Sequence, residues 1–303
     1  FVAGHLAKRI LVPLNSVADG LRQLAGGDLS VRAVADPRSL GEAVALVDDF
    51  NELAGRLQQM TEERVFWNAA IAHELRTPVT ILRGRLQGLA EGVFPPTPVQ
   101  FDKLLGQVDH LARLVTDLRV ISLAESHHLH MAWGDADLRH TVEGAGDALR
   151  EGLRLGGKTL VLRHGVDRVC ADHGRLQQAI LALLDNARRY AVPGTVTVRT
   201  RREGAACVVS VEDDGPGVPD DLAPQLFEAF RRGRPGADES DRGTGLGLAV
   251  VAAIAQAHGG QPTCRPASSG GSCFEISWPA AGPGTAPAAP DTGTDTDGHG
   301  HGT

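Results

Sequence analysis

The sequence predicts a multidomain protein in which an all-α coiled coil and a helical hairpin precede an α/β two-layer sandwich. Three observations support this fold class. The chain has 303 residues, more than one domain usually needs. Up to about residue 125, apolar residues recur every three or four positions, which is the helical period. After about residue 130 they form short strand-like runs between helical stretches.

The composition excludes one class of function. A formal net charge of -7 argues against a protein that binds nucleic acid through its overall charge. The four cysteines, Cys170, Cys207, Cys264 and Cys273, form no Cys-x-x-Cys pair, which favours a reducing compartment over a metal site.

Residues 1–12 resemble the end of a membrane helix. No apolar run reaches the ~20 residues of a span, but Lys8 and Arg9 follow a short apolar stretch, as at the cytoplasmic flank of such a helix. We therefore expect an inner-membrane protein whose membrane segment precedes Phe1 and whose present portion is cytoplasmic. The alternative is an ordinary frayed N-terminal helix.

Residues 13–61 contain two amphipathic helices around "AGGDLS". The first seam, at three-four-three spacing, consists of Leu14, Val17, Leu21 and Leu24. The second, at four-three spacing, consists of Leu46, Phe50, Leu53, Leu57 and Met60. Each helix has one apolar stripe, so a parallel bundle with a second chain would bury both. This predicts a homodimer.

Residues 62–126 are predicted to form a helical hairpin. One arm carries the stripe Ile71, Leu75, Val79, Leu82, Leu86 and Leu89. The turn is "EGVFPPTP", and the other arm carries Leu104, Val108, Leu111, Val115 and Leu118. Such a hairpin usually pairs with another into a four-helix bundle.

The α/β sandwich is predicted over residues 130–279. Strand-like runs such as "TVTVRT" and "CVVSVED" alternate with helical stretches such as "RLQQAILALLDNARRY". Residues 280–303 are rich in Pro, Gly, Thr and Asp without an apolar face, so this tail is expected to be disordered.

His73 stands out on the first arm of the hairpin. At ~100° per residue it lies opposite the apolar stripe, so its imidazole should face solvent. Glu74 can hold one ring nitrogen and leave the other basic. Pro78 follows, although proline inside a helix costs roughly 3 kcal/mol. The stretch "HELRTP" resembles the phosphoacceptor box of bacterial sensor histidine kinases.

The stretch "LLDNARRY", residues 183–190, resembles the asparagine box of the same family. The amide oxygen of Asn186 suits Mg²⁺, and Arg189 is placed to neutralise phosphate charge. The resemblance makes Tyr190 a further nucleotide contact. The family often has another asparagine four residues earlier, where this chain has Ala182.

Two glycine segments follow. In "DDGPGVP", Asp213 ends a strand and can accept a hydrogen bond from an adenine amino group, while Gly215 and Gly217 let the backbone approach the base. In "GTGLGLAV", the backbone amides of the loop suit a polyphosphate; its candidate contacts are Gly243, Thr244, Gly245, Leu246 and Gly247.

Between these segments, Phe227 and Phe230 are interpreted as an apolar latch, and Arg232 as a phosphate contact. Residues 233–243 have the composition of a mobile lid.

The motifs occur in the order seen in the ATP-binding superfamily of histidine kinases, gyrase, Hsp90 and MutL (the GHKL or Bergerat fold). The N-terminal seams look like a HAMP signal-relay module. The hairpin segments "ILRGRLQGLAEGVF" and "LVTDLRVISLAE" look like the branch that senses envelope stress and controls drug efflux.

The resemblance implies a protein-histidine kinase that takes ATP and Mg²⁺. ATP would phosphorylate His73, and the phosphoryl group would pass to an aspartate of a response-regulator receiver domain. Thr77, at i+4 from His73, would orient a water for a second, phosphatase activity. We also hypothesise that Pro78 allows the helix to bend when signals arrive.

The sequence leaves two alternative functions open. A GHKL ATPase would share the glycine motifs but would not need "HELRTP". A non-catalytic dimeric scaffold with a degenerate nucleotide pocket would explain Ala182.

Overall fold

The computed structural model describes residues 2–35, 41–219, 222–231, 243–267 and 270–282. The chain divides into two compact units, residues 1–90 and 91–303. Each unit is described separately.

The first unit consists of two helices, α1 (Val2–Ala25) and the 50-residue α2 (Gly41–Ala90). Its core joins both helices and the segment between them. The buried residues are Val17, Ala33, Val47, Phe50 and Ala54, with Leu24, Val31 and Ala35 packed against them. This local core is the reason that the two helices lie side by side.

Polar contacts tie the connector to both helices. The Asn51 side chain accepts a hydrogen bond from the Ala33 N–H (2.8 Å) and donates one to the Ala33 carbonyl (3.0 Å). The Ser16 hydroxyl accepts one from the Val34 N–H (2.9 Å). These bonds satisfy an extended backbone that has no strand beside it.

The predicted seams of α1 and α2 divide into covered and uncovered positions. Val17 and Phe50 are buried, whereas Leu14 and Leu21 are 48% exposed and Leu53 is 50% exposed. Two helices bury only the side on which they meet, so the remaining seam residues are left uncovered within one chain.

Helix α2 continues without interruption through Pro78. The ring removes one backbone donor, yet the residues on both sides keep helical structure. Val79 and Leu86, from the predicted hairpin stripe, are 50% exposed in the single chain.

The second unit begins with α3 (Pro98–Glu125), whose first residue is a proline, a favoured position because no intrahelical donor is lost there. The sandwich then follows. Its helices are α4 (Leu138–Leu155), α5 (His173–Tyr190) and α6 (Gly247–Ala257), with a short 3₁₀ turn at Ala223–Gln225. Its strands are β1 (Gly134–Asp137), β2 (Lys158–Arg163), β3 (Arg168–Ala171), β4 (Gly194–Glu203), β5 (Ala206–Asp213), β6 (Gln261–Pro266) and β7 (Ser272–Pro279).

The main sheet is mixed. Its strand order is β2-β4-β5-β7-β6; β2 and β4 are parallel and the other neighbours are antiparallel. Strands β1 and β3 form a separate antiparallel pair. The prediction of a helical region followed by an α/β sandwich is confirmed.

The helices cover one face of this sheet. Their buried residues include Leu138, Leu153, Leu176, Ile180, Leu183, Leu184, Val250 and Ile254. The facing strands contribute Val196, Val198, Val209, Val211, Phe274, Ile276 and Trp278. The pairing of β4, β5 and β7 puts these residues on the same side of the sheet.

A buried histidine joins α6 to α5. His258 follows α6 and is fully buried. Its Nε2 accepts a hydrogen bond from the Asp172 N–H (3.1 Å), and its Nδ1 lies 2.8 Å from the Ile254 carbonyl oxygen. This pattern needs a neutral ring with its proton on Nδ1. Asp172 itself caps α5, because its Oδ1 accepts from the Arg175 N–H (3.0 Å).

All four cysteines are unpaired. None of the helices in the described part of the chain is long and apolar enough to cross a membrane.

The His258 site predicts a pH dependence of stability. Burial lowers the pKa of His258 below its ordinary value, although its contacts with Ile254 and Asp172 act in the opposite direction. The unfolded chain takes up a proton at this residue below about pH 6.5. The free energy of unfolding should therefore be fully retained above that pH and decrease as the pH falls below it.

The measurement is urea unfolding at about pH 7.5 and about pH 5.5. A His258→Gln variant, whose side chain does not ionise, should lose less stability over this interval. An equal loss in both proteins would contradict the assignment.

Candidate functional site

A cleft of about 1470 Å³ opens in the second unit. Its main walls are α5 along most of its length, the end of β5 with the following loop, the N-terminus of α6, and one side of α3. Helix α4 and the β6–β7 segment also contribute residues to the lining. The size of the cleft is sufficient for a ligand as large as a nucleotide.

The α5 wall is positioned by core packing. Leu183 and Leu184 are buried beneath the helix, so the neighbouring turns present Ala182, Asn186 and Tyr190 to the cleft. A Cβ atom at Gly247 would lie 4.0 Å from the Ala182 Cβ, which shows how closely α5 approaches the start of α6. Asn186 is half-buried and offers a neutral amide oxygen at this point.

Arg189 is held in the cleft by an acidic neighbour. Its Nε donates to Asp185 Oδ2 (2.8 Å), and the Arg188 Nε donates to Asp185 Oδ1 (2.8 Å). Burial raises the pKa of Asp185, but the two guanidinium groups outweigh burial and keep that pKa below its ordinary value. The carboxylate therefore stays ionised and fixes both arginines at the end of α5.

Asp213 lies at the end of β5 and is 5% exposed. Its Oδ1 accepts hydrogen bonds from the Gly215 N–H (2.7 Å) and, at 3.5 Å, from the Ser272 N–H. Its Oδ2 takes no hydrogen bond from the described residues and remains available to a ligand. The pKa of Asp213 is raised above its ordinary value, because the effect of burial outweighs the hydrogen bonds from Gly215 and Ser272, which lower it.

Glycines surround this carboxylate because side chains would not fit. A Cβ at Gly215 would lie 2.5 Å from Asp213 Oδ1, and one at Gly271 would lie 1.9 Å from the Asp213 carbonyl oxygen. Gly217 has φ +74°, a conformation that L residues rarely adopt. The result is a bare backbone cradle around a single acidic side chain.

The second glycine loop forms the start of α6. Gly245 has φ +70°, and its carbonyl accepts a hydrogen bond from the Phe230 N–H (2.9 Å). Thr244 Oγ1 accepts from the Leu246 N–H (3.3 Å). Gly243, Thr244, Gly245 and Gly247 line the cleft. The first amides of α6 have no partner within the helix, so this end suits an anion.

Two of the predicted contacts do not face the cleft with their side chains as expected, and a third lies outside the described residues. The Leu246 side chain is fully buried and anchors the loop in the core. Phe230 is half-buried with φ +63° and meets the loop through its backbone. Arg232, like most of the predicted lid 233–243, lies outside the described residues.

Helix α3 contributes a wall that the sequence did not indicate. His110, Arg113, Leu114 and Asp117 line the cleft. Leu114 is 1% exposed although it lies outside the predicted seam. Burial raises the pKa of Asp117 to about 6; a hydrogen bond with Gln178 and the charge of Arg113 lower it, and Asp185 raises it.

His73, Glu74 and Thr77 lie on α2, in the first unit. His73 and Thr77 are exposed, and Glu74 is half-buried. The Thr77 hydroxyl donates to the His73 carbonyl (3.3 Å), which places it on the turn that follows the imidazole.

The two units provide complementary chemistry. The cleft offers an acceptor at Asp213 for a base that donates hydrogen bonds, and amides with a guanidinium for an anionic chain. The exposed imidazole of α2 offers a nucleophilic nitrogen.

Family models match three consecutive regions of the chain. A HAMP domain matches residues 5–59, the His Kinase A (phospho-acceptor) domain matches residues 63–127, and the histidine kinase-, DNA gyrase B- and HSP90-like ATPase matches residues 171–282.

Curated relatives match most of this chain. The signal transduction histidine-protein kinase BaeS of Escherichia coli (strain K12) is 34% identical over 278 residues, which cover 90% of this chain and 59% of that protein. Sensor protein CutS of Streptomyces coelicolor is 33% identical over 288 residues, 92% of this chain and 68% of that protein. The chain thus spans about two thirds or less of the length of these relatives.

Among solved structures, the Acinetobacter baumannii histidine kinase AdeS is 36% identical, with a TM-score of 0.59. The match covers 69% of this chain and 98% of that one.

Proposed function

Since this chain belongs to the sensor histidine kinase family, we propose that it transfers the γ-phosphoryl group of ATP to His73 and then to an aspartate of a response-regulator receiver domain. The family resemblance inferred from the sequence is confirmed. One observation carries the proposal: a glycine-lined cleft built around Asp213 occurs in the same chain as an exposed histidine within "HELRTP".

The cleft supports ATP as the phosphoryl donor. Asp213 Oδ2 would accept a hydrogen bond from the adenine amino group, while the cradle at Gly215 and Gly271 leaves room for the base. The glycine loop and the start of α6 would hold the phosphates. Arg189, fixed by Asp185, would oppose their negative charge.

Asn186 fits a role in holding Mg²⁺, since its neutral oxygen is a hard ligand and lies in the cleft. When bound, Mg²⁺ would neutralise part of the phosphate charge during transfer. Ala182 provides no ligand beside it.

At the phosphoacceptor, one imidazole nitrogen of His73 would attack the γ-phosphorus in line as the bond to ADP breaks. Glu74, the next residue in the chain, would hold the other nitrogen and accept its proton. Phosphoryl transfer depends mainly on positioning and charge, so the rigid helix that carries His73 is part of the mechanism. The product is a phosphoramidate that can pass its phosphoryl group to an aspartate.

The uncovered seams support a homodimer. Leu14, Leu21 and Leu53 in the first unit, and Val108 and Val115 on α3, are each close to half exposed. A second copy would cover such stripes in a parallel bundle. We also propose that the protein is anchored in the cell membrane by a segment outside this sequence, with the present portion on the cytoplasmic side.

Phosphorylation of His73 separates this function from the two alternatives. A GHKL ATPase would hydrolyse ATP without a stable histidine label, and a non-catalytic scaffold would give neither product.

The first test uses γ-³²P-ATP with magnesium. The chain should acquire an acid-labile, base-stable label, and His73→Gln should abolish it because the nucleophile is lost. His128→Gln, which alters another exposed histidine, should keep the label. Label that survives in His73→Gln would contradict the proposal.

The second test concerns Asp213→Asn. In one orientation, the asparagine NH₂ group takes the place of Oδ2 and can no longer accept a hydrogen bond from the base. In the other orientation, the same NH₂ group faces the Gly215 N–H, which is also a donor. ATP affinity should fall by roughly 10- to 100-fold, the effect of losing a buried charge-assisted hydrogen bond. Glu212→Gln makes the same chemical change on the opposite face of the sheet and should have little effect. Equal affinities by titration of a fluorescent ATP analogue would exclude this role for Asp213.

The third test concerns the proposed phosphatase activity of Thr77, whose hydroxyl would orient a water. Thr77→Ala should slow dephosphorylation of a receiver domain that the chain phosphorylates by at least about tenfold. Labelling of His73 should stay within about twofold.

Thr80→Ala is the matched control, because the Thr80 hydroxyl makes the same backbone contact to Arg76 (2.8 Å) three residues further along α2. The same loss of dephosphorylation in both variants would argue against a specific role for Thr77.

A further inference from the structure

Residues 126–133 form the linker between α3 and the sandwich, and hydrogen bonds attach this linker at both of its ends. At its start, the His127 N–H donates to the Ala124 carbonyl (3.0 Å) and the His128 N–H to the Leu123 carbonyl (2.8 Å). The backbone is thereby tied to α3 as far as His128, with His127 at φ +56° completing the end of the helix.

At its other end, the linker is bound to the sandwich before β1 begins. The Ala132 N–H donates to Asp172 Oδ2 (2.7 Å). The Trp133 ring meets the His258 ring edge-on, with their centroids 5.2 Å apart. Only Leu129, His130 and Met131 lie between these two attachments, and three residues span about 10 Å when extended.

Asp172 is the centre of the second attachment. Its Oδ1 caps α5, its Oδ2 binds the linker, and its N–H donates to His258. Asp172 is 7% exposed and His258 is fully buried, with Trp278 on a further side of the imidazole at 6.1 Å. The bond between Asp172 and His258 is buried and the bond from Ala132 is partly buried, so both are more costly to break than bonds at the surface.

The attachment lies at the far end of the helices that form the nucleotide cleft. Helix α5 begins at the Asp172 cap and lines the cleft along its length, with Asn186 and Tyr190 near its opposite end. Helix α6 runs in the opposite sense, from Gly247 in the cleft to His258. The linker is therefore joined to the ends of α5 and α6 that are remote from the phosphates.

We propose that Asp172 and His258 form a clamp on Ala132 and Trp133 that sets the length of the tether between α3 and the catalytic domain. Release of the clamp lengthens the free tether from three residues to five, residues 129–133. This inference rests on the proposed function, in which the catalytic domain has to carry ATP to His73. In this proposal the three-residue tether is too short for that domain to reach His73 efficiently, so a longer tether raises the rate of transfer; a tether already longer than the required span would lower it.

Asp172→Asn tests the clamp while leaving the helix cap in place. Asparagine caps helices as well as aspartate does, but its amide nitrogen cannot accept the bond from Ala132. Asp137→Asn is the matched control. Asp137 caps α4 by accepting from the His140 N–H (2.9 Å), and within the described residues its side chain makes no hydrogen bond to residues 129–133. Trp133→Ala is a second variant, which removes the ring contact and leaves the Asp172 cap intact.

All variants are made in the full 303-residue chain. Amide hydrogen exchange over residues 129–133 should accelerate by at least about fivefold in Asp172→Asn and Trp133→Ala, the expected effect of losing one partly buried hydrogen bond or ring contact. Asp137→Asn should match the unaltered chain. Unchanged exchange in both clamp variants would overturn the proposal.

The second readout is phosphorylation of His73 at saturating ATP. Its rate should rise by at least about threefold in the clamp variants, with ATP affinity within about twofold of the unaltered chain. A rate that is unchanged or lower would overturn the link between the clamp and transfer. If the unaltered chain itself is not labelled, the proposed function fails, and the exchange measurement alone decides whether the clamp exists.

Discussion

Burial of α5 and α6 against one face of the five-stranded sheet is the constraint on which the site depends. Residues such as Leu184 and Ile254 fix the rotation of each helix about its own axis. The polar end of α5 and the bare start of α6 then have to meet at the end of β5. Asp213 is placed there by its strand, and the glycines beside it are required because a side chain would strike its backbone or carboxylate.

Much of this could be predicted from sequence because the signals are local. The asparagine box and the glycine segments each lie within eight residues, and the strand alternation that positions them is short-range. Contacts between distant segments carried no such signal. Leu114 lies outside the α3 seam, so its packing beside the cleft could not be anticipated. The same limit applies to Asp172, whose partners Ala132 and His258 are remote in sequence.

The elements that the sequence reading did not single out also have physical reasons. Strand β6 contains Pro262 and Pro266, and proline is disfavoured in a strand interior. Both prolines are tolerated because β6 is at the edge of the sheet. Strands β1 and β3 have only four residues each, too few for a clear alternation. In α1 and α2 the period was correct, but period alone does not determine which seam positions one chain buries; Val17 and Phe50 are covered while Leu14 and Leu53 are not.

The continuity of α2 has a mechanical consequence. From Phe50, in the core of the first unit, to His73 the helix rises about 35 Å at 1.5 Å per residue. Within α2, proline occurs only at position 78, beyond the histidine. A rotation of α2 at Phe50 would therefore be transmitted to His73 through a continuous series of backbone hydrogen bonds. Any loss of stiffness at Pro78 affects the part of α2 that follows His73.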